Sequence, residues 1–105
     1  MTIEELLKFI KQEHKRLLQF YHFKSNQELK YPIALKIGEE LGELYEDVLA
    51  SDALQRKIKL KAQKPHLDEE MADVILTTLL LAENMQIDIH KGLEKKIRKI
   101  KKRKY

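Results

Sequence analysis

Between Lys36 and Val48 the chain reads KIGEELGELYEDV, and the spacing of its apolar residues leaves little freedom of structure. Ile37, Leu41, Leu44 and Val48 recur at i, i+4, i+7 and i+11, the core-facing stripe of one helix. At about 100° per residue, Glu40, Glu43 and Asp47 form a second stripe on the flank of that face rather than opposite it. Glu39 and Glu46 fall further round, toward solvent. Carboxylates one turn apart at the edge of a core repel each other. A solvated acidic face is the plain explanation. A divalent cation held between them is the chemical one, because hard cations take oxygen ligands from Asp and Glu.

A second segment repeats the arrangement. HLDEEMADVILTTLLLAENM, from His66 to Met85, carries Glu70 and Asp73 at i and i+3. From Met71 to Ala82 the only charged residue is Asp73, and the apolar residues surround the helix. Such a helix is expected to be buried on most sides, between its own chain and a partner subunit. The helix macrodipole accounts for Asp68 and Glu69 near the N-terminus. It does not account for Asp73, since a buried carboxylate must be paired, coordinated or neutralised. Taken together, the two helices favour a shared metal site over two unrelated acidic surfaces.

The pair of motifs, Glu39-Glu40-Leu-Gly-Glu43 and, after 26 intervening residues, Glu70-Met-Ala-Asp73, resembles the EExxE, spacer, ExxD signature of the MazG-like nucleotide pyrophosphohydrolases. The resemblance runs from roughly Tyr31 to the C-terminus and includes the AENMQID segment. Either half alone is short enough to arise by chance; both, in order and on helices, are far more specific. The resemblance implies an all-α fold that binds Mg²⁺ (Mn²⁺ as a substitute) through Glu40, Glu43, Glu70 and Asp73. It also implies cleavage of a nucleoside triphosphate to the monophosphate and pyrophosphate, by metal-assisted attack of water on the α-phosphorus. Glu39 or Glu43 would orient that water or take its proton. Family members contact substrate phosphates with a Lys and an Asn near the last helix, then an Arg. Lys95 and Arg103 match, but no asparagine follows Asn84, a departure that bears on substrate identity and not on the metal ligands.

At 105 residues the chain reads as a single domain, residues 1–105, with one modest core that oligomerisation would help to complete. It has no cysteine, which excludes a disulfide framework, a thiolate metal site and a cysteine nucleophile. No apolar run approaches the roughly 20 residues of a membrane span, and the N-terminal residues lack the pattern of a secretion signal. A cytoplasmic protein is the expectation. Residues 91–105 carry a balance of +8 and the other residues a balance of −4. An acidic body with a basic tail suits cations on the body and phosphate-bearing molecules near the tail. Three glycines are too few for a phosphate-cradling loop, and Ser25 and Ser51 have no partner signatures for nucleophilic catalysis.

Residues 2–23 read as a first helix, with Thr2 and Glu5 as a capping box and Leu6, Phe9, Ile10, Leu17 and Phe20 on its buried side. Phe20, Tyr21, His22 and Phe23 close it. These aromatics either seal the end of the bundle or form a wall, through Phe20 and Phe23, on which a nucleobase stacks. Relatives often carry a tryptophan near this place, and this chain has none. His14 and His22 carry no metal spacing and read as packing or surface residues. Ser25 to Lys30 is expected to be a polar connection, with Pro32 in the first turn of the second helix. Lys36 reads equally as an i, i+4 partner of Glu40 and as a phosphate contact. Gly38 and Gly42 lower helix propensity, and their spacing suggests a close helix approach. Arg56, Lys57, Lys59, Lys61 and Lys64 make the Ala50–Pro65 stretch either a solvated linker or a lysine-rich lid. Asp68 is expected to cap the third helix. Asp88 is expected to cap a last helix that runs to the terminus and buries one narrow seam, Leu93, Ile97 and Ile100.

The fold expected is therefore all-α: a compact bundle of three to four main helices whose core is completed by homo-oligomerisation, as a homodimer or homotetramer. The function expected is a Mg²⁺-dependent nucleoside triphosphate pyrophosphohydrolase, with Lys36, Lys95, Arg103, Phe20 and Phe23 as substrate contacts. Two alternatives stand beside it. One is a phosphoribosyl-ATP pyrophosphohydrolase of related type. The other is a non-enzymatic helical module whose basic tail binds nucleic acid or a partner. Sparse aromatic interleaving in the tail weighs against base stacking, whereas phosphate-backbone binding needs only charge.

Overall fold

Thr2 begins the first helix as the sequence predicts: its Oγ1 accepts from the Glu5 backbone N–H at 3.1 Å and donates to Glu5 Oε1 at 3.2 Å. In the computed structural model, which describes residues 1–52 and 66–105, the described residues form four α-helices and no strand. They are α1 (Ile3–Phe20), α2 (Asn26–Asp52), α3 (Leu67–Asn84) and α4 (Ile89–Lys101). Residues 53–65, with the basic side chains of the expected linker or lid, lie outside the described residues.

Helix α1 stops three residues short of the expected boundary, and its exit has a defined geometry. His22 adopts φ 55°, and the Phe23 N–H reaches back to Leu18 O at 3.0 Å while the His22 N–H bonds Gln19 O at 3.2 Å. This is a Schellman cap with histidine where glycine is usual. Gln86 repeats it at the end of α3, with φ 58° and with Ile87 N–H on Ala82 O at 2.9 Å.

The largest correction concerns the start of α2. Ser25 to Lys30 is not a connection: the helix begins at Asn26, and Pro32 lies inside it. The signal was Ser25-Asn-Gln-Glu28. Ser25 Oγ accepts from Glu28 N–H and Glu28 Oε2 accepts from Lys24 N–H, both at 3.4 Å, a variant of the capping box. Pro32 gives up one intrahelical hydrogen bond there, and the helix continues through it. A smaller correction applies to α3. Its N-cap position is His66, without a side-chain cap bond. Asp68 sits in the first turn, where its Oδ1 accepts from the Glu69 N–H at 2.9 Å. Asp88 does cap α4, accepting from Lys91 N–H at 3.1 Å.

Helix α3 packs against both α2 and α1. The core where they meet is small: Ile10, Leu29, Ile33, Leu79 and Ala82 are its buried apolar residues. His14 is buried beside them and sets its Nε2 2.9 Å from Asn84 Oδ1, whereas His22 is exposed. Several expected core positions face outward instead. Phe9 and Phe20 on α1, Val48 on α2 and Met71 and Ile75 on α3 are exposed, so α3 is not sheathed on most sides within one chain. Leu93, Ile97 and Ile100 are also exposed, and α4 buries none of its residues and ends at Lys101. The radius of gyration is 17.1 Å, against about 13 Å for a compact domain of this length. Among the described residues the fold is all-helical but less compact than the bundle expected, and no residue of α4 is buried.

Candidate functional site

The acidic stripes of α2 and α3 converge. Glu40, Glu43 and Glu70 each place a carboxylate oxygen within 4.8 Å of the others. The burial is graded: Glu40 is buried at 6% exposure, Glu70 is half-buried and Glu43 is open to solvent. Glu40 owes its position to the helix periodicity that puts it on the same inward face as Ile33 and Ile37. Glu70 follows from the first turn of α3, which leads into the core.

Two oxygens in this cluster lack partners. Glu40 Oε2 and Glu70 Oε2 are shielded from solvent and have no hydrogen-bond partner among the described residues. Burying an unpaired carboxylate oxygen is costly, and native structures seldom leave one so. Glu40 Oε1, by contrast, is bonded by Lys36 Nζ at 3.3 Å, and the same ammonium reaches Glu39 Oε2 at 3.2 Å. The hydrogen bonds it donates to Glu39 and then Glu40 hold the Lys36 ammonium above its ordinary pKa. Of its two sequence readings, the ion pair with Glu40 is formed. Glu70 moves in the opposite chemical sense. Its carboxyl is raised above the ordinary range, first by loss of hydration and then by the negative charges of Asp47, Glu43, Asp73 and Glu40.

This donor set fits a hard divalent cation. It is all oxygen, it concentrates negative charge, and two of its residues carry an unsatisfied buried oxygen. Two oxygens on one such cation stand at most about 4 to 5 Å apart, and the three here lie within 4.8 Å of one another. Asp73 is differently placed from Glu40 and Glu70: it is exposed, contrary to the burial expected from the sequence, and lies one turn along α3 from Glu70. It faces the adjoining cleft, which it lines together with Glu40 and Lys36.

That cleft, about 310 Å³, lies between α1, α2 and α3. Its far wall is apolar and aromatic, with Phe9, Leu17 and Tyr21 opposite Pro32 and Leu76, and Glu13 is a further acid on the α1 side. Phe20 and Phe23 are not among the lining residues. Phe20 is 74% exposed and meets the edge of the Tyr21 ring at 4.9 Å between centroids. Phe23 stacks on Tyr21 at 5.5 Å with 18° between planes. The aromatic cluster is thus real, but the ring it presents to the cleft is Tyr21, with Phe20 and Phe23 as its supports. Which ring would face inward was hidden because α1 ends at Phe20 and the left-handed His22 redirects the chain. Asp47 was legible on the carboxylate stripe and belongs with the site, as the charge that acts most strongly on Glu70.

Glu39 is exposed beside Lys36, at the edge of the carboxylate cluster. Lys95 is exposed on α4 and Arg103 follows that helix, its N–H bonded to Ile100 O at 3.0 Å. Neither of these two lines the cleft. No helix among the described residues is long and apolar enough to cross a membrane.

Comparison with curated proteins and with solved structures returned no significant match. A family model does match, over residues 24–105, and this span holds both acidic motifs, all three clustered glutamates and Asp73. The chain therefore belongs to the family of the MazG nucleotide pyrophosphohydrolase domain.

Proposed function

We propose that the chain is a Mg²⁺-dependent nucleoside triphosphate pyrophosphohydrolase, acting as one domain over residues 1–105 and cleaving (d)NTP to (d)NMP and pyrophosphate. The observation that carries this reading is the pair of buried, partnerless carboxylate oxygens on Glu40 and Glu70, next to a cleft with an aromatic wall. Family membership supplies the reaction class.

Glu40, Glu43 and Glu70 would hold the cation, with Asp73 completing the set from the cleft side. Mg²⁺, or Mn²⁺ in its place, supplies charge neutralisation on the triphosphate and activation of water for hydrolysis when bound. Lys36 fixes the Glu40 carboxylate by its Oε1, which leaves Oε2 turned to the cation site. The same lysine lies on the cleft wall and would meet a phosphate oxygen there. Glu39 or Glu43 would orient the attacking water or accept its proton. The nucleobase would lie against Tyr21, with Phe20 and Phe23 behind that ring. Lys95 and Arg103 would act on the leaving pyrophosphate, from a helix that one chain alone leaves outside the cleft. This placement, with the exposed apolar side chains of α2, α3 and α4, supports a homodimer or homotetramer as the working form, and the nucleotide substrates proposed here suit a cytoplasmic setting.

The test is pyrophosphate release from the eight common NTPs and dNTPs and from phosphoribosyl-ATP, with Mg²⁺ and with EDTA, the products identified chromatographically. Monophosphate plus pyrophosphate, formed only with metal, is the expected outcome. Turnover confined to phosphoribosyl-ATP would move the assignment to that enzyme type. No turnover, no Mg²⁺ binding by calorimetry and salt-sensitive binding of nucleic acid would instead make the basic tail the functional element.

A further inference from the structure

One acid of the cleft has no part in the chemistry described so far. Phe9, Glu13, Leu17 and Tyr21 recur every four residues along α1, and all of them line the cleft. A carboxylate thus interrupts an apolar stripe. Its side chain is 23% exposed, sheltered yet reachable from the cavity. Glu13 stands outside the group formed by Glu40, Glu43 and Glu70, and it is not among the charges that raise the Glu70 carboxyl.

The ion pair that Glu13 makes does not explain its place. Among the described residues that pair is with Arg16, whose Nη1 donates to Glu13 Oε2 at 3.0 Å while the arginine is 76% exposed. A pair this open to solvent contributes little, and it could form equally well on the solvent side of α1. It also leaves capacity unused. A carboxylate offers roughly four acceptor sites, and the bond to Arg16 takes one.

Position along the cleft decides what the rest can meet. Helical side chains lean toward the N-terminus, so the Tyr21 ring tilts back over Leu17 toward Glu13, and Glu13 and Tyr21 line a neighbouring cavity together as well. Lys36, Glu40 and Asp73 belong to the walls supplied by α2 and α3. A carboxylate repels phosphate, whereas the Lys36 ammonium attracts it. The α1 side of the cleft therefore suits the uncharged end of a nucleotide, the end that also stacks.

We propose that Glu13 reads the base and selects guanine nucleotides, a specificity that rests on the pyrophosphohydrolase reading above. Guanine sets its N1–H and a 2-amino N–H side by side, two parallel donors for the two oxygens of one carboxylate. Adenine and cytosine set an amino group beside a ring nitrogen that carries a lone pair. Uracil and thymine flank a single N–H with two carbonyls. In each of those an acceptor faces the carboxylate, and such a mismatch discriminates as effectively as an added contact. A well-placed bidentate contact separates bases by roughly 5- to 150-fold.

The test is kcat/KM of the full chain, with Mg²⁺, for GTP, ITP, ATP, CTP and UTP, on the wild type and on Glu13→Gln. ITP is the informative substrate, being GTP without the 2-amino group. The wild type is expected to favour GTP over ITP and over ATP, each by roughly 5- to 150-fold. Glu13→Gln keeps the size of the side chain and turns one acceptor into a donor. GTP should then fall to the level of ITP, while ATP should hold or rise, because an amide pairs with an adenine amino group and the ring nitrogen beside it. Calorimetric titration with GMP and IMP in the same buffer follows the base contact apart from turnover, and GMP should bind more tightly by a similar factor. Equal turnover of all the nucleotides, or a GTP-to-ITP ratio unchanged in Glu13→Gln, overturns this proposal and leaves the pyrophosphohydrolase reading standing. Tighter binding of GMP without turnover of any triphosphate supports the base contact and overturns that reading instead. Neither binding nor turnover overturns both.

Discussion

Asn26 and Asn84 exchange hydrogen bonds across the core: the side-chain amide of each donates to the backbone carbonyl of the other, both at 2.9 Å. The exchange ties the start of α2 to the end of α3, two points 58 residues apart in the chain. Because Asn84 Nδ2 is committed as a donor, Asn84 Oδ1 is the acceptor that His14 meets at 2.9 Å. His14 therefore donates from Nε2, and α1 is fastened to the same point. One buried amide thus holds three helices in register around the cleft.

Replacing Asn84 by alanine removes the bonds to Asn26 O and from His14 and leaves the buried His14 Nε2–H without its partner. Net hydrogen bonds contribute about 0.5–1.5 kcal/mol each, and a stranded buried group costs about 1–3 kcal/mol. Asn84→Ala should therefore destabilise the fold by about 2–4 kcal/mol. Thermal denaturation should show a fall in Tm of roughly 10 °C or more. A change within 2 °C (an approximate threshold on the same scale) would mean that the exchange contributes nothing net.

The sequence disclosed the site better than it disclosed the packing, for physical reasons. Glu40, Glu43 and Glu70 were legible because helical periodicity alone decides which side chains share a flank. The caps at Thr2 and Asp88 were legible because they are local hydrogen bonds. Pro32 misled because proline at a helix start is the commoner case, and the Ser25–Glu28 cap that starts α2 earlier rests on two long, exposed hydrogen bonds. Leu93, Ile97 and Ile100 form a correct amphipathic seam on α4, but periodicity says that a face seeks burial and not whether the same chain supplies the cover. Asp73 was placed inside for the same reason: the apolar residues around it on α3 include Met71 and Ile75, which are themselves exposed.

Glu70 gives a pH-dependent prediction. Its folded pKa lies above the ordinary 4.5, through loss of hydration first and then the surrounding carboxylates, so folding favours the protonated acid. The sign follows from linkage: this stabilisation is fully present below the ordinary pKa and is lost as pH rises through the raised value. Glu70→Gln keeps the shape and removes the charge. Without metal it should melt at a higher temperature than the wild type near pH 7, with the gap closing toward pH 4, on the order of the ordinary carboxylate pKa. Mg²⁺ should raise the Tm of the wild type by mass action and should do little for the variant. Differential scanning fluorimetry across pH, with and without Mg²⁺, reads both effects. A less stable variant in metal-free buffer would contradict the repulsion described here.

Gln86 closes α3 in the left-handed region with φ 58°. A non-glycine residue there carries a steric cost of roughly 1–2 kcal/mol, which glycine avoids at some expense in unfolded-chain entropy. Gln86→Gly also gives up the Gln86 Nε2 bond to Glu83 O at 3.0 Å, which is solvent-exposed and therefore weak. The expected net effect is a stabilisation of about 0.5–1 kcal/mol, visible as an upward shift in the denaturant midpoint at unchanged slope. A loss of stability would show that the side-chain bond outweighs the strain.

Tyr21 separates the aromatic wall from the chemistry. Its ring lines the cleft while Phe20 and Phe23 support it, and it belongs to none of the carboxylate or ammonium groups at the far side. If the base stacks on it, the contact is made equally in the ground and transition states, so its loss should raise KM and leave kcat nearly unchanged. Stacking on an aromatic side chain contributes about 1–3 kcal/mol per base, so Tyr21→Ala should raise KM by roughly 5- to 150-fold. Glu40→Gln should do the reverse, abolishing Mg²⁺-dependent turnover in a protein that remains helical. Steady-state kinetics on the two variants side by side distinguishes binding from chemistry. Equal loss of kcat in both would place Tyr21 among the reacting groups, and an unchanged KM in Tyr21→Ala would show that the base binds elsewhere.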